Sequence, residues 1–103
     1  MKTAVTTGLV ILGSTSRQVE QTLLNLGIQG KRFQSTCCPL ANYVSMYLID
    51  AGITDVEILM SPDYCWLFEG KNRQEHVTLS DAVKTFQGDF DENLLDRRLY
   101  ENT

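Results

Sequence analysis

Thr36-Cys37-Cys38-Pro39-Leu40-Ala41-Asn42-Tyr43-Val44 opens the strongest helical pattern in the sequence. Pro39 suits the first helical position, where a missing N–H costs nothing and a fixed φ already matches a helix. Cys38 then falls at the cap and Cys37 just outside it. Leu40, Val44, Tyr47, Leu48 and Ala51 recur at helical spacing and form one apolar stripe. Gly52 follows the last apolar position and can adopt the left-handed stop conformation. Two thiols at the positive end of a helix are the one chemically suggestive feature of the chain.

Downstream of Gly52 the apolar period changes from helical to two. Asp55-Val56-Glu57-Ile58-Leu59-Met60 places Val56, Ile58 and Met60 on one face, with Asp55 and Glu57 on the other. Ser61-Pro62-Asp63 is a turn, Tyr64–Glu69 a second strand, Gly70-Lys71-Asn72-Arg73 a second turn, and Glu75–Leu79 a third strand. Connections this short predict an antiparallel meander, which needs helices on one face for stability. Ser80 caps a further helix with Asp81 in its first turn and Val83 and Phe86 one turn apart, and Gly88 is its expected stop. Leu94, Leu95 and Leu99 suggest a short last helix.

Upstream, Thr15-x-x-Gln18 has the spacing of a capping box, and Val19, Leu23 and Leu26, widened by Leu24, line a helix that ends at Gly27. Residues 27–33 then connect the two helices, with Ile28 and Phe33 expected to plug the gap between them. The glycines there read as turn geometry. A phosphate-cradling reading is the weak one, because they follow a helix and no Walker-type lysine and hydroxyl pair ends the loop. Residues 1–13 carry β-branched residues interrupted by Gly8, which suggests an edge strand or a loose N-terminal arm. The expected fold is therefore α+β: an arm at 1–13, then one globular domain over 14–103. That domain has two N-terminal helices, a three-stranded antiparallel meander and one or two C-terminal helices.

The 103 residues suffice for one domain, and 43% hydrophobic with 21% charged residues is ordinary globular composition. No apolar run approaches the roughly 18 residues needed to cross a bilayer. Residues 8–13 also lack the basic start and cleavage site of a signal peptide, so the expectation is a cytoplasmic protein without a membrane partner. Three cysteines, two of them adjacent, do not make a disulfide framework. The net charge of −4 and the thin scatter of Lys and Arg argue against general nucleic-acid binding and favour a protein partner.

Gly27-Ile28-Gln29-Gly30, Cys38-Pro39-Leu40-Ala41-x-Tyr43, Leu79-x-x-x-Val83-x-x-Phe86 and Phe90-Asp91 together resemble a pattern in small uncharacterised bacterial and phage-type proteins. The resemblance spans roughly residues 16 to 95 by spacing alone. It implies a compact domain and, with no activity known for such proteins, carries over no site residue.

Cys38 is the candidate nucleophile, because the positive helix end stabilises a thiolate. Cys37 or Cys65 could resolve it, and His76, the only histidine, could act as its base. Against this, redox pairs use Cys-x-x-Cys spacing, and cysteine is a common packing residue. The packing alternative is favoured. Cys37, Cys38, Cys65 and His76 also lack the paired-knuckle spacing of a zinc site, so neither metal nor cofactor is expected. Asp89, Asp91 and Glu92 do not form a calcium loop and read as a solvated acidic patch for docking. Tyr64, Trp66 and Phe68 alternate onto one sheet face. They are core if that face meets the helices, which a small domain's need for buried area favours. They are a recognition platform if Cys65 and Leu67 face inward instead.

With no complete catalytic constellation, the sequence leans away from an enzyme. It points to a small protein-binding module, a regulator or inhibitor of a protein partner. The alternative is a thiol-dependent redox or nucleophilic protein using Cys38. Oligomeric state is left open.

Overall fold

A computed structural model describes residues 1–70 and 73–101 of the chain. The fold is α+β, with elements α1 (Lys2–Leu12), α2 (Ser16–Asn25), α3 (Pro39–Asp50), β1 (Val56–Met60), β2 (Tyr64–Glu69), β3 (Arg73–Thr78), α4 (Asp81–Asp91) and a short 3-10 turn (Arg97–Leu99). The strands form an antiparallel sheet in the order β1-β2-β3. The expected turn between β2 and β3 includes Lys71 and Asn72, which lie outside the described residues.

Helix α3 follows the sequence pattern closely. Pro39 is its first residue, and the Cys38 Sγ accepts a hydrogen bond from the Ala41 N–H at 3.4 Å. Leu40, Val44 and Leu48 are buried, while Tyr47 is half-buried and Ala51 exposed. Gly52 takes a φ of 80° as the chain leaves the helix. In α2 the Thr15 hydroxyl accepts from the Gln18 N–H at 3.2 Å. The reciprocal bond is displaced by one residue, since the Gln18 Oε1 accepts from the Ser14 N–H at 2.8 Å.

Residues 2–12 are neither an edge strand nor a loose arm. They form α1, whose Val5, Leu9 and Leu12 are buried at helical spacing and which packs on α3 and β3. Gly8 makes the close crossing of α1 and α3 feasible. A Cβ there would sit 3.1 Å from the Tyr47 ring, and the Tyr43 hydroxyl donates to the Gly8 carbonyl at 2.6 Å. The domain therefore begins at α1 rather than at residue 14, with three helices ahead of the sheet. Helix α4 likewise passes through Gly88 and ends at Asp91, because Phe90 continues the buried Val83–Phe86 stripe for another turn. Phe33 is not a plug either: it is 72% exposed, and only Ile28 packs against the core from that connection.

The connection at 27–33 is locked at Gly30. Its N–H donates to the Leu99 carbonyl at 2.8 Å, and its carbonyl accepts from the Glu101 N–H at 3.0 Å, giving a parallel bridge to the C-terminal segment. A Cβ at Gly30 would lie 2.3 Å from the Pro39 nitrogen and 2.5 Å from the Cys38 carbonyl carbon. Backbone atoms at the start of a buried helix cannot yield cheaply. Gly30→Ala is expected to cost about 3 kcal/mol by overpacking. Gly88→Ala, where a Cβ meets nothing within 4 Å in mid-helix, is expected to gain about 0.5–1 kcal/mol. Urea unfolding of both variants checks the pair of opposite signs.

Candidate functional site

The sheet presents its helix-facing side through Ile58, Met60, Cys65, Leu67 and Val77, all buried. Register makes this consistent across the strands, pairing Ile58 with Leu67, Met60 with Cys65, and Cys65 with Val77. Cys65 and Leu67 thus face inward, and Tyr64, Trp66 and Phe68 occupy the opposite face. The expectation that the aromatics form the core is overturned. The reason is packing: cross-strand partners share a face, so the apolar sides of β1 and β3 carry Cys65 and Leu67 in with them.

On the outer face Leu59, Trp66 and His76 form one row across the three strands, beside a second row of Glu57, Phe68 and Gln74. Tyr64 and Trp66 meet edge to face with ring centroids 5.8 Å apart, and His76 lies 5.0 Å from Tyr64 and 4.9 Å from Trp66. Such ring pairs hold one another in place beyond what their area burial contributes. Tyr64 is 37% and Leu59 36% exposed, His76 is exposed, and Trp66 and Phe68 are half-buried. The result is an apolar surface with a nitrogen heterocycle at one side and the Glu57 carboxylate at the other. Leu59 belongs to it although sequence reasoning passed it over. Its signal was a break in the alternation, an apolar residue on the otherwise acidic side of β1.

The thiols are arranged differently. Cys38 and Cys65 are fully buried and Cys37 is half-buried, all three free. Burial pushes the Cys38 thiol up to about 11, overriding the Ala41 and Leu40 backbone N–H groups that favour its anion. Burial pushes Cys65 up to about 12, with a further rise from neighbouring Cys38. Cys38 is therefore not brought to His76, which stands on the far side of the sheet from both buried thiols. Among the described residues, no three His, Cys, Asp or Glu gather as metal ligands.

The three carboxylates differ in exposure and in what their residues hold in place. Asp91 is half-buried and ties the 31–37 loop to the end of α4. Its carbonyl accepts from the Arg32 Nε and Nη2 at 2.8 and 2.6 Å, and its Oδ1 accepts from the Phe33 N–H at 3.2 Å. Asp89 is also half-buried, with its carbonyl accepting from the Leu94 N–H at 3.0 Å. Only Glu92 is exposed.

Fold and site together define a small α+β domain with helices on one side of its sheet and an aromatic face on the other. No family model, curated protein or solved structure matches the chain. Among the described residues, no helix is long and apolar enough to cross a membrane.

The buried thiols set an alkaline limit. Both are protonated at neutral pH whether the chain is folded or not. Above the ordinary value of 9.0 the unfolded chain ionises first, while the folded thiols keep their protons to about 11 and about 12. The folded state then binds more protons than the unfolded one, so stability falls as pH rises through that window. The decline is expected to be shallower in a Cys38→Ala/Cys65→Ala variant, with the remainder carried by Tyr43 and Tyr100, whose hydroxyls burial also pushes up. In the folded protein, alkylation is expected at Cys37 and to be withheld from Cys38 and Cys65. Rapid labelling of Cys38 at neutral pH would restore the nucleophile.

Proposed function

We propose that this protein is a non-enzymatic binding module that regulates or inhibits a protein partner through the outer face of its sheet. The observation that carries this is the Tyr64–Trp66–His76 ring cluster, flanked by Leu59 and Phe68, on the face away from the helices. A small domain ordinarily uses its largest side chains to build its core. Here Phe86 and Phe90 are buried while the only tryptophan stands on the sheet's outer side. Trp and Tyr are the residues whose removal most often costs a protein interface its affinity. Asp55 and Glu57 are exposed beside the rings, and the chain carries a net charge of −4. The partner this chemistry fits is a protein with an apolar patch bordered by basic side chains. A cytoplasmic setting, where reduced cysteines persist, completes the proposal.

The thiol alternative has no comparable support, since its nucleophile is buried and protonated at neutral pH.

The test is photo-crosslinking from position 74, at the margin of the face, followed by affinity measurement with the captured protein. Trp66→Ala is expected to weaken that complex by at least about 30-fold, the loss typical of a hot-spot aromatic. Ile11→Ala, on the exposed side of α1, is expected to leave it unchanged. Equal affinities for Trp66→Ala and the wild type, with both folded, would remove the sheet face from consideration.

A further inference from the structure

We propose that the cavity between the Gly30–Gln34 loop and the Arg97–Glu101 segment is a binding site for a small, phosphate-bearing anion. The cavity has a volume of about 570 Å³ and is open to solvent. That lies within the size range of small-molecule sites. Lys31, Arg32 and Arg97 line it, and among the described residues Glu101 is the only carboxylate residue in its wall. The chain as a whole has thirteen acidic and nine basic residues, so a concavity dominated by cations runs against its composition. Among the described residues none of the three cations forms an ion pair, whereas Arg73, Lys84 and Arg98 each do.

The walls of the cavity are held in place. Gly30 bridges both sides through its bonds to Leu99 and Glu101. On one side, the Lys31 N–H donates to the Cys37 carbonyl at 2.9 Å. On the other, the Tyr100 hydroxyl donates to the Phe90 carbonyl at 3.0 Å, and its ring stacks on Phe90 at 4.4 Å. Arg32 is the best prepared of the cations. Its Nε and Nη2 are committed to the Asp91 carbonyl, and its guanidinium lies 5.1 Å from the centre of the Phe33 ring. Its side chain is thus ordered before any ligand arrives, with Nη1 making no hydrogen bond among the described residues. An ordered guanidinium loses little freedom when it takes up an oxyanion.

Side chains hold the anion here, not a glycine loop, because both polar groups of the Gly30 backbone are already bonded. Among the described residues, three cations against one carboxylate favour a ligand with about two negative charges, as a phosphate group carries near pH 7. The Asn93 and Gln34 side chains, also in the wall, offer amide donors to its remaining oxygens.

Inorganic pyrophosphate is the probe, titrated into the full-length protein at fixed ionic strength and followed by amide NMR. Saturable shifts confined to residues 30–34 and 97–101, with a dissociation constant below about 1 mM, are expected. Lys31→Gln and Arg97→Gln should each weaken binding by about tenfold, and Glu101→Gln should tighten it. Arg17→Gln, a basic residue elsewhere, should change nothing. No saturation would overturn the proposal, as would shifts spread over the surface or an Arg17→Gln loss equal to that of Lys31→Gln. The wild-type shift map reads the site even where a variant fails to fold.

Discussion

The backbone contact between Gly30 and the first peptide of α3 is the constraint on which the rest of the chain depends. A side chain of any size there would collide with the Pro39 nitrogen and the Cys38 carbonyl carbon. Because nothing intervenes, the connection from α2 crosses the start of α3 at backbone distance and then pairs with residues 99–101. One glycine thus brings the middle of the chain, the opening of its central helix and its C-terminal segment into register. Leu99 is fully buried by this arrangement, and Tyr100 lies flat on Phe90. The sequence shows two glycines flanking Ile28-Gln29, which reads as a turn. The need for Gly30 is a long-range clash, and no local pattern reports one.

The meander was legible from the change of period and from its short connections; the face chosen by β2 was not. Read as a three-residue turn, Ser61-Pro62-Asp63 would set Met60 opposite Tyr64 and send the aromatics inward. In the structure Met60 pairs with Cys65, and the Ser61 N–H donates to the Tyr64 carbonyl at 2.9 Å. A slip of one residue reverses every side chain of a strand. Val77 offered a second indication. It is the one apolar residue among exposed neighbours in β3, and its partner across the ladder is Cys65. The candidate face was therefore visible as a set of residues, while its orientation depended on hairpin register.

At both ends of the helical set, packing overruled propensity. Residues 2–12 are rich in threonine and valine and contain a glycine, features that weigh against a helix in isolation. They fold as one because Val5, Leu9 and Leu12 share a face and Gly8 lets that face close on Tyr47. Gly88 likewise does not stop α4, since the burial of Phe90 one turn later outweighs the roughly 1 kcal/mol a helical glycine costs. In each case the deciding residue is a buried partner distant in sequence or one turn ahead.

Cys38 shows two electrostatic effects opposed at one atom. The end of α3 supplies what a thiolate needs, with the Ala41 N–H pointed at the sulfur and the helix's partial positive charge behind it. Those groups lower the thiol's pKa, yet removing the sulfur from water raises it further, and the balance lies on the protonated side. The cap is closed because Gly30 lies against its backbone while Leu40, Cys65 and the rest of the core surround it. A helix terminus makes a nucleophile only where solvent can reach and support the charge. The close approach that organises the fold thus also makes this cysteine a packing residue. The groups left at the surface are those the core does not need: the rings on the outer sheet face and the cations around the Gly30 bridge.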